Sequence, residues 1–252
     1  MILLETVGVS KSFGGIQAVR GFSLAIRKGT ITALIGPNGA GKTTVFNLIT
    51  GHLPVSSGEI LFREKRIDGL PPHQIVQSGI ARTFQLVRIF PRLSVLDNVM
   101  VGLRASKGES LWGGLLKPKG MREETARNRE KALGFLEQVG LLEYKEHYAQ
   151  NLGFGQQKLI EIARALATEP ELLLLDEPTA GLSQDMTLSI QHLICHLKEQ
   201  GETILFIEHD MKVVMGISDR IVVLDYGKKI AEGTPEDIRN NPKVIEAYLG
   251  TD

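Results

Sequence analysis

Residues 36–44 read Gly36-Pro37-Asn38-Gly39-Ala40-Gly41-Lys42-Thr43-Thr44, which are the residue types needed to hold a polyphosphate. Glycines let successive backbone N–H groups converge on an anion with no Cβ in the way. Lys42, directly after the last glycine, can reach β- and γ-phosphates, and the Thr43 hydroxyl suits Mg²⁺. A β-rich run over residues 30–35 precedes the loop, and a helical stretch to about Thr50 follows, with Gly51 as its stop. That helix adds the positive end of its dipole to the same anion site. A random chain of this length matches the pattern on the order of once in a hundred, and the strand–loop–helix context makes coincidence rarer.

A second run, Leu172-Leu173-Leu174-Leu175-Asp176-Glu177, is an apolar strand that delivers two carboxylates at its end. Ligands of open α/β sheets bind at the carboxyl ends of the strands. Asp176 is therefore expected to hold Mg²⁺, directly or through water, and Glu177 to polarise an attacking water. The two runs together predict a bound nucleoside polyphosphate with Mg²⁺.

These groups need a scaffold. Residues 2–9 and 22–26 alternate partly, as half-buried antiparallel strands do. Residues 86–166 have a mostly helical pattern, with Ala126, Leu133 and Leu136 expected on a buried face. Within them, residues 107–120 form a Gly- and Lys-rich stretch whose Leu111, Trp112, Leu115 and Leu116 are expected to fold back on their own helices. Residues 172–175, 204–207 and 221–224 are continuously apolar, as strands covered on both faces are. A helix near 184–200 separates the first two, with Met186, Ile190, Leu193 and Leu197 on one face. Strands alternating with helices imply a parallel sheet with right-handed crossovers. The expected fold is one α/β domain over 1–252. Residues 1–85 and 167–252 form the core with an N-terminal antiparallel β-subdomain, and a helical subdomain is inserted at 86–166.

Composition narrows the function classes. The 252 residues carry 29 Lys+Arg and 29 Asp+Glu, a net charge of zero. That argues against a protein that coats nucleic acid or a polybasic membrane binder. No run approaches 18 apolar residues, so no segment is expected to span a bilayer. The start lacks the basic and apolar regions of a secretory signal, and the single Cys195 fits a reducing compartment. His192 and His196 stand one helical turn apart, a metal-ligand spacing, but off the apolar face, so they are expected to be exposed histidines.

Further segments have the identity and order of one superfamily. Over essentially its full length the chain resembles the ATP-binding subunits of ABC transporters. Residues 36–44 resemble Walker A, and 172–177 resemble Walker B with its glutamate. Gln85, in Ala81-Arg82-Thr83-Phe84-Gln85, resembles the Q-loop glutamine, and His209, in Ile207-Glu208-His209-Asp210, the switch histidine. Leu152-Gly153-Phe154-Gly155-Gln156 resembles the signature motif, Ala180-Gly181-Leu182-Ser183 sits at the D-loop, and Phe13 stands where the family stacks an aromatic ring on adenine. The resemblance implies Glu177, His209 and Gln85 as the catalytic set and Thr43, Gln85 and Asp176 as the Mg²⁺ ligands. Two departures stand out. Gly153 replaces the usual signature serine, leaving backbone N–H groups and the dipole of a helix expected to start near Gln156, and Ser183 replaces the usual D-loop aspartate. Asp185 is expected to cap the following helix.

The segments 79–85, 208–212, 215–220 and 244–250 are similar to the subfamily serving branched-chain amino-acid importers, and to its LivG-type subunit. This implies a cytoplasmic, peripheral position at the inner or plasma membrane. It also implies two ATPases head to tail, the second LivF-like or identical, with membrane-spanning permease subunits and, indirectly, a solute-binding protein, and no nucleic acid. Residues 85–93, with Ile89, Phe90 and Leu93, would then meet the permease. The competing readings are a soluble ABC-type ATPase acting on nucleic acid or ribosomes, the ATPase of a urea or amide importer, and a P-loop kinase.

Overall fold

The structure, a computed structural model, describes residues 1–106 and 118–249. The expectation for Leu111, Trp112, Leu115 and Leu116 lies outside the described residues. Strands Ile2–Phe13 (β1) and Ile16–Arg27 (β2) form an antiparallel hairpin through Gly14 and Gly15. Both run further than their alternating segments suggest. The register shifts between Thr6 and Val9 and again between Val9 and Lys11, beside Gly8 and Gly21 at positive φ, so period-2 alternation breaks inside continuous strands.

Beyond the loop, Lys42–Ile49 (α1) leads to Ser57–Phe62 (β4), which pairs with β1, and to the short Lys65–Arg66 (β5). The order in this antiparallel sheet is β2-β1-β4-β5. A second sheet holds Ile31–Ile35 (β3), Ile80–Arg82 (β6), Leu172–Asp176 (β7), Thr203–Ile207 (β8), Arg220–Asp225 (β9) and Lys228–Gly233 (β10), in the order β10-β9-β3-β8-β7-β6. Its pairings are parallel except for the β9–β10 hairpin. The three-residue β6, delivered by Pro72–Ser78 (α2), is too short to show in the sequence pattern.

The uniformly apolar strands have a simple cause: both faces of this sheet are covered. Leu34, Leu172, Leu174, Leu205 and Val222 pack with Phe22, Phe46 and Phe62 on the side of the antiparallel sheet and α1. Ala33, Leu173, Leu175, Phe206 and Val223 alternate with them and pack with the helices on the other side.

Those helices include Val95–Ser106 (α3), Pro118–Gln138 (α4), Phe154–Leu166 (α5), Gln184–Glu199 (α6) and Met211–Ile217 (α7). Pro235–Arg239 (α8) and Pro242–Leu249 (α9) end the described chain. Residues 86–94 are not helical, contrary to the pattern read there. On α4 the buried face is Asn128, Ala132 and Leu136 with Leu133 partly covered, whereas Ala126 is exposed, as are Arg129 and Glu130 one turn further on. On α6, Ile190, Leu193 and Leu197 are buried and Met186 packs against them.

Candidate phosphate and hydrolysis site

β3 aims the chain into the loop 36–41, and the loop turns directly into α1. Glycine is required at two of its turns. At Gly36 (φ 151°) an added Cβ would lie 2.1 Å from the Leu224 carbonyl oxygen, and at Gly41 (φ 105°) it would lie 2.5 Å from that of Ala18. Gly39 is left-handed and exposed beside Asn38. Ala40 is buried and donates its N–H to Pro37 O at 3.1 Å, closing the turn. Lys42 folds back across this loop, its Nζ donating to Gly36 O at 2.7 Å and Pro37 O at 3.0 Å. Burial pushes the Lys42 pKa down, while the nearby Glu177 and Asp176 carboxylates pull it up. Thr43 is exposed and Thr44 half-buried on the first turn of α1. Phe13, at the end of β1, is 46% exposed, with Lys11 Nζ 5.2 Å from its ring centroid.

β7 brings Asp176 and Glu177 to the same end of the sheet. Asp176 is buried, and its Oδ2 accepts from Arg82 Nη2 at 2.8 Å. Glu177, just past the strand, has a left-handed φ of 50° and donates its N–H to Ile207 O at 3.0 Å. Its Oε2 accepts from Gln85 Nε2 at 3.0 Å and lies 3.9 Å from His209 Nδ1. Three side chains from separate segments, Gln85, Glu177 and His209, thus converge on one point.

The fully buried Glu208 supports that point. Its Oε1 accepts from the Thr179 N–H at 2.9 Å and the Thr179 hydroxyl at 2.6 Å, and its Oε2 accepts from the His209 N–H at 3.1 Å. The sequence reading missed Arg82, Glu208 and Lys158. The available signal was a charge inside or beside an apolar run, which must be partnered if buried.

The segment 152–156 forms the start of α5. Gly153 is the N-cap, with φ −64° and ψ 157°, so the helix begins at Phe154 and not near Gln156. The Gly153 N–H donates to Gln156 Oε1 at 3.1 Å, so the turn closes on its own side chain. Leu152 is buried, Phe154 is about half exposed, and Gly155 packs against Met186, where a Cβ would sit 2.7 Å from Cγ. The cap of α6 is Ser183, which accepts from the Met186 N–H at 3.4 Å, and Asp185 lies in the first turn instead. The expected Asp185 cap is thus corrected, because the shorter Ser183 hydroxyl already stands at the extended N-cap position. His192 and His196 are exposed, and among the described residues no cluster of three His, Cys, Asp or Glu could hold a metal.

The donors Thr43, Gln85 and Asp176 offer a hydroxyl, an amide oxygen and a carboxylate, the hard oxygen set that Mg²⁺ takes. With the loop's backbone N–H groups and Lys42, the set suits a nucleotide polyphosphate and its cation.

Comparisons with known proteins agree. The family described as "ABC transporter" matches residues 19–180, and that described as "Branched-chain amino acid ATP-binding cassette transporter" matches 228–252. The chain is 48% identical over 249 residues, 98% of each chain, to a high-affinity branched-chain amino acid transport ATP-binding protein LivG of Salmonella typhimurium. It is 44% identical over 249 residues, again 98% of each, to the corresponding BraF of Pseudomonas aeruginosa. Among solved structures, a nucleotide-free ATP-binding cassette from an ABC transporter superimposes with a TM-score of 0.87 at 37% identity, over 100% of both chains. An ADP conformation of such a cassette gives a TM-score of 0.86 at 36% identity, also over 100% of both.

Proposed function

The chain belongs to the ABC transporter ATP-binding proteins of the LivG branched-chain amino-acid type, and from that membership we propose how its residues bind and hydrolyse ATP. It is the ATP-binding subunit of a branched-chain amino-acid importer, an ATPase that couples hydrolysis to transport. The loop from Gly36 to Gly41 holds the phosphates through its backbone N–H groups, and Phe13 stacks on the adenine. Lys42 exchanges the Gly36 and Pro37 carbonyls for the β- and γ-phosphates, a stronger pairing because both partners are charged. Thr43, Gln85 and Asp176 would hold Mg²⁺, which would supply charge neutralisation on the phosphate oxygens.

Glu177 orients a water for in-line attack on the γ-phosphorus and accepts its proton as the bond to ADP breaks. Gln85 and His209 hold that carboxylate and the γ-phosphate end of the site. What supports this most is the convergence of Gln85 Nε2 on Glu177 Oε2 at 3.0 Å, with His209 beside them.

Leu152, Gly153, Phe154, Gly155 and Gln156 act on the nucleotide of a second ATPase subunit, LivF-like or a second copy, through the backbone N–H groups and dipole at the start of α5. ATP then draws two subunits together by binding the closed arrangement more tightly. Membrane attachment is peripheral, on the cytoplasmic face, through the permease subunits. Among the described residues no helix is long and apolar enough to cross a membrane. A cleft of about 380 Å³ lined by Phe84, Arg88, Ile89, Phe90 and Arg164 supports a permease contact beside Gln85. Of the residues read as its apolar contacts, Ile89 packs against the core, while Phe90 and Leu93 are exposed. A periplasmic solute-binding protein is an indirect partner.

The test is uptake of leucine, isoleucine and valine into vesicles carrying the whole transporter. ATP-dependent uptake of these three supports the reading. Uptake of urea or an amide in their place, or co-purification with ribosomes instead of permease, overturns it.

A further inference from the structure

Lys158 lies on α5, the helix that begins at the signature segment, and is only 4% exposed. Nothing assigned above uses it. Its Nζ donates to the backbone carbonyl of Glu177 at 2.6 Å and lies 5.6 Å from the Phe154 ring centroid. Burying an ammonium is costly unless it is hydrogen-bonded and charge-compensated. Glu208 and Glu161, both buried, compensate it, and they oppose the downward pull of burial on its pKa.

The carbonyl it holds belongs to an unusual residue. Glu177 is a non-glycine residue at φ 50°, a strained conformation that persists only where the surroundings over-determine it. One side of this turn is pinned by the Glu177 N–H to Ile207 O at 3.0 Å, and the other by Lys158. Relaxed to an ordinary φ, the residue would turn its side chain away from Gln85 and His209.

We propose that Lys158 is a positioning residue for hydrolysis: by gripping the Glu177 carbonyl it keeps that residue left-handed and its carboxylate aimed at the attacking water. This rests on Glu177 as the water-activating base. Lys158 stands five residues after Gly153 on one helix, so the segment facing the partner's nucleotide is joined rigidly to this chain's own base.

The experiment measures kcat, KM and calorimetric ATP affinity in the complete transporter for Lys158→Met, Lys158→Arg, Glu177→Gln and Lys158→Met with Glu177→Gln. Lys158→Met should lower kcat about tenfold or more while KM and ATP affinity stay within about twofold. Lys158→Arg, which keeps a donor, should recover most of that loss, and the double variant should be no slower than Glu177→Gln alone. Should Lys158→Met not fold, Lys158→Gln, too short to reach the carbonyl, replaces it with the same expected readout. A kcat within about twofold of wild type overturns the proposal, as does a loss that arginine fails to rescue or one matched by loss of ATP affinity. Wild-type turnover in Glu177→Gln would instead remove the assignment of the base, and the proposal with it.

Discussion

Arg82 and Asp176 form a buried ion pair, Nη2 to Oδ2 at 2.8 Å, with their side chains 6% and 4% exposed. Nη1 of the same guanidinium donates to Asn47 Oδ1 at 2.7 Å on α1, and the group stacks over the Phe46 and Phe84 rings. One arginine therefore ties the acid at the end of β7 to the helix that follows the phosphate loop. Arginine suits this place because two different nitrogens of its planar fork reach acceptors on separate elements, Nη1 on α1 and Nη2 at the end of β7.

Arg82→Met removes the fork and leaves a buried carboxylate unpaired. Breaking one side of a buried pair costs about 3–5 kcal/mol, so urea unfolding should show a loss of that size. Arg82→Lys keeps the charge without the second contact and should fall between. A loss below about 1 kcal/mol for Arg82→Met would mean that solvent or another cation reaches Asp176.

Lys42→Ala deletes a charge-assisted contact to the phosphates worth about 1.5–3 kcal/mol. Calorimetry on the folded variant should show ATP affinity lower by about tenfold to a hundredfold. Unchanged affinity would remove the lysine from the nucleotide site.

Gly153 has an ordinary φ of −64°, and a Cβ there would sit 3.7 Å from Gln156 Oε1, so side chains fit. Gly153→Ser keeps the N-cap and adds one hydroxyl donor toward a charged phosphate, worth at most about 1.5–3 kcal/mol, so ATPase activity of the complex should be retained or raised. Gly153→Asp should repel the partner's γ-phosphate and block turnover while ATP binding to the isolated chain persists. Weakened binding in the isolated chain with normal turnover in the complex would contradict action on the partner's nucleotide.

Glu161 is buried on α5 and accepts the Phe84 N–H at 3.2 Å. Burial raises its pKa above the ordinary 4.5, against the Phe84 N–H, Arg164 and Lys158. The folded state therefore keeps a proton that the unfolded chain releases, and stability falls as pH rises from 4.5 through the raised value. Glu161→Gln lacks this titration, so its stability relative to wild type should increase with pH across that window. Urea unfolding at steps from about pH 4 to about pH 8 reads the difference, and a flat difference contradicts the assignment.

The glycine spacing at 36–41 and the acids after Leu175 were legible because each is a local pattern with a local cause. The strands 172–176 and 203–207 were legible because burial on both faces removes polar residues. Arg82, Lys158 and Glu208 were not, because each works through partners far along the chain: 94 residues from Arg82 to Asp176, 29 from Glu208 to Thr179. A charge in an apolar run signals that a partner exists, but only the fold says which. The helix start at Phe154 was misjudged by two residues because glycine at an N-cap carries no side-chain signature.

We propose that Glu177, held by Gln85 and flanked by His209, drives the hydrolysis that powers import. Single-turnover hydrolysis of bound ATP by the complete transporter tests it most directly, with wild type and Glu177→Gln compared at saturating ATP. Full ATP occupancy is expected in both, with a hydrolysis rate lower by about 10²–10⁴ in the variant. Equal rates at equal occupancy would contradict it.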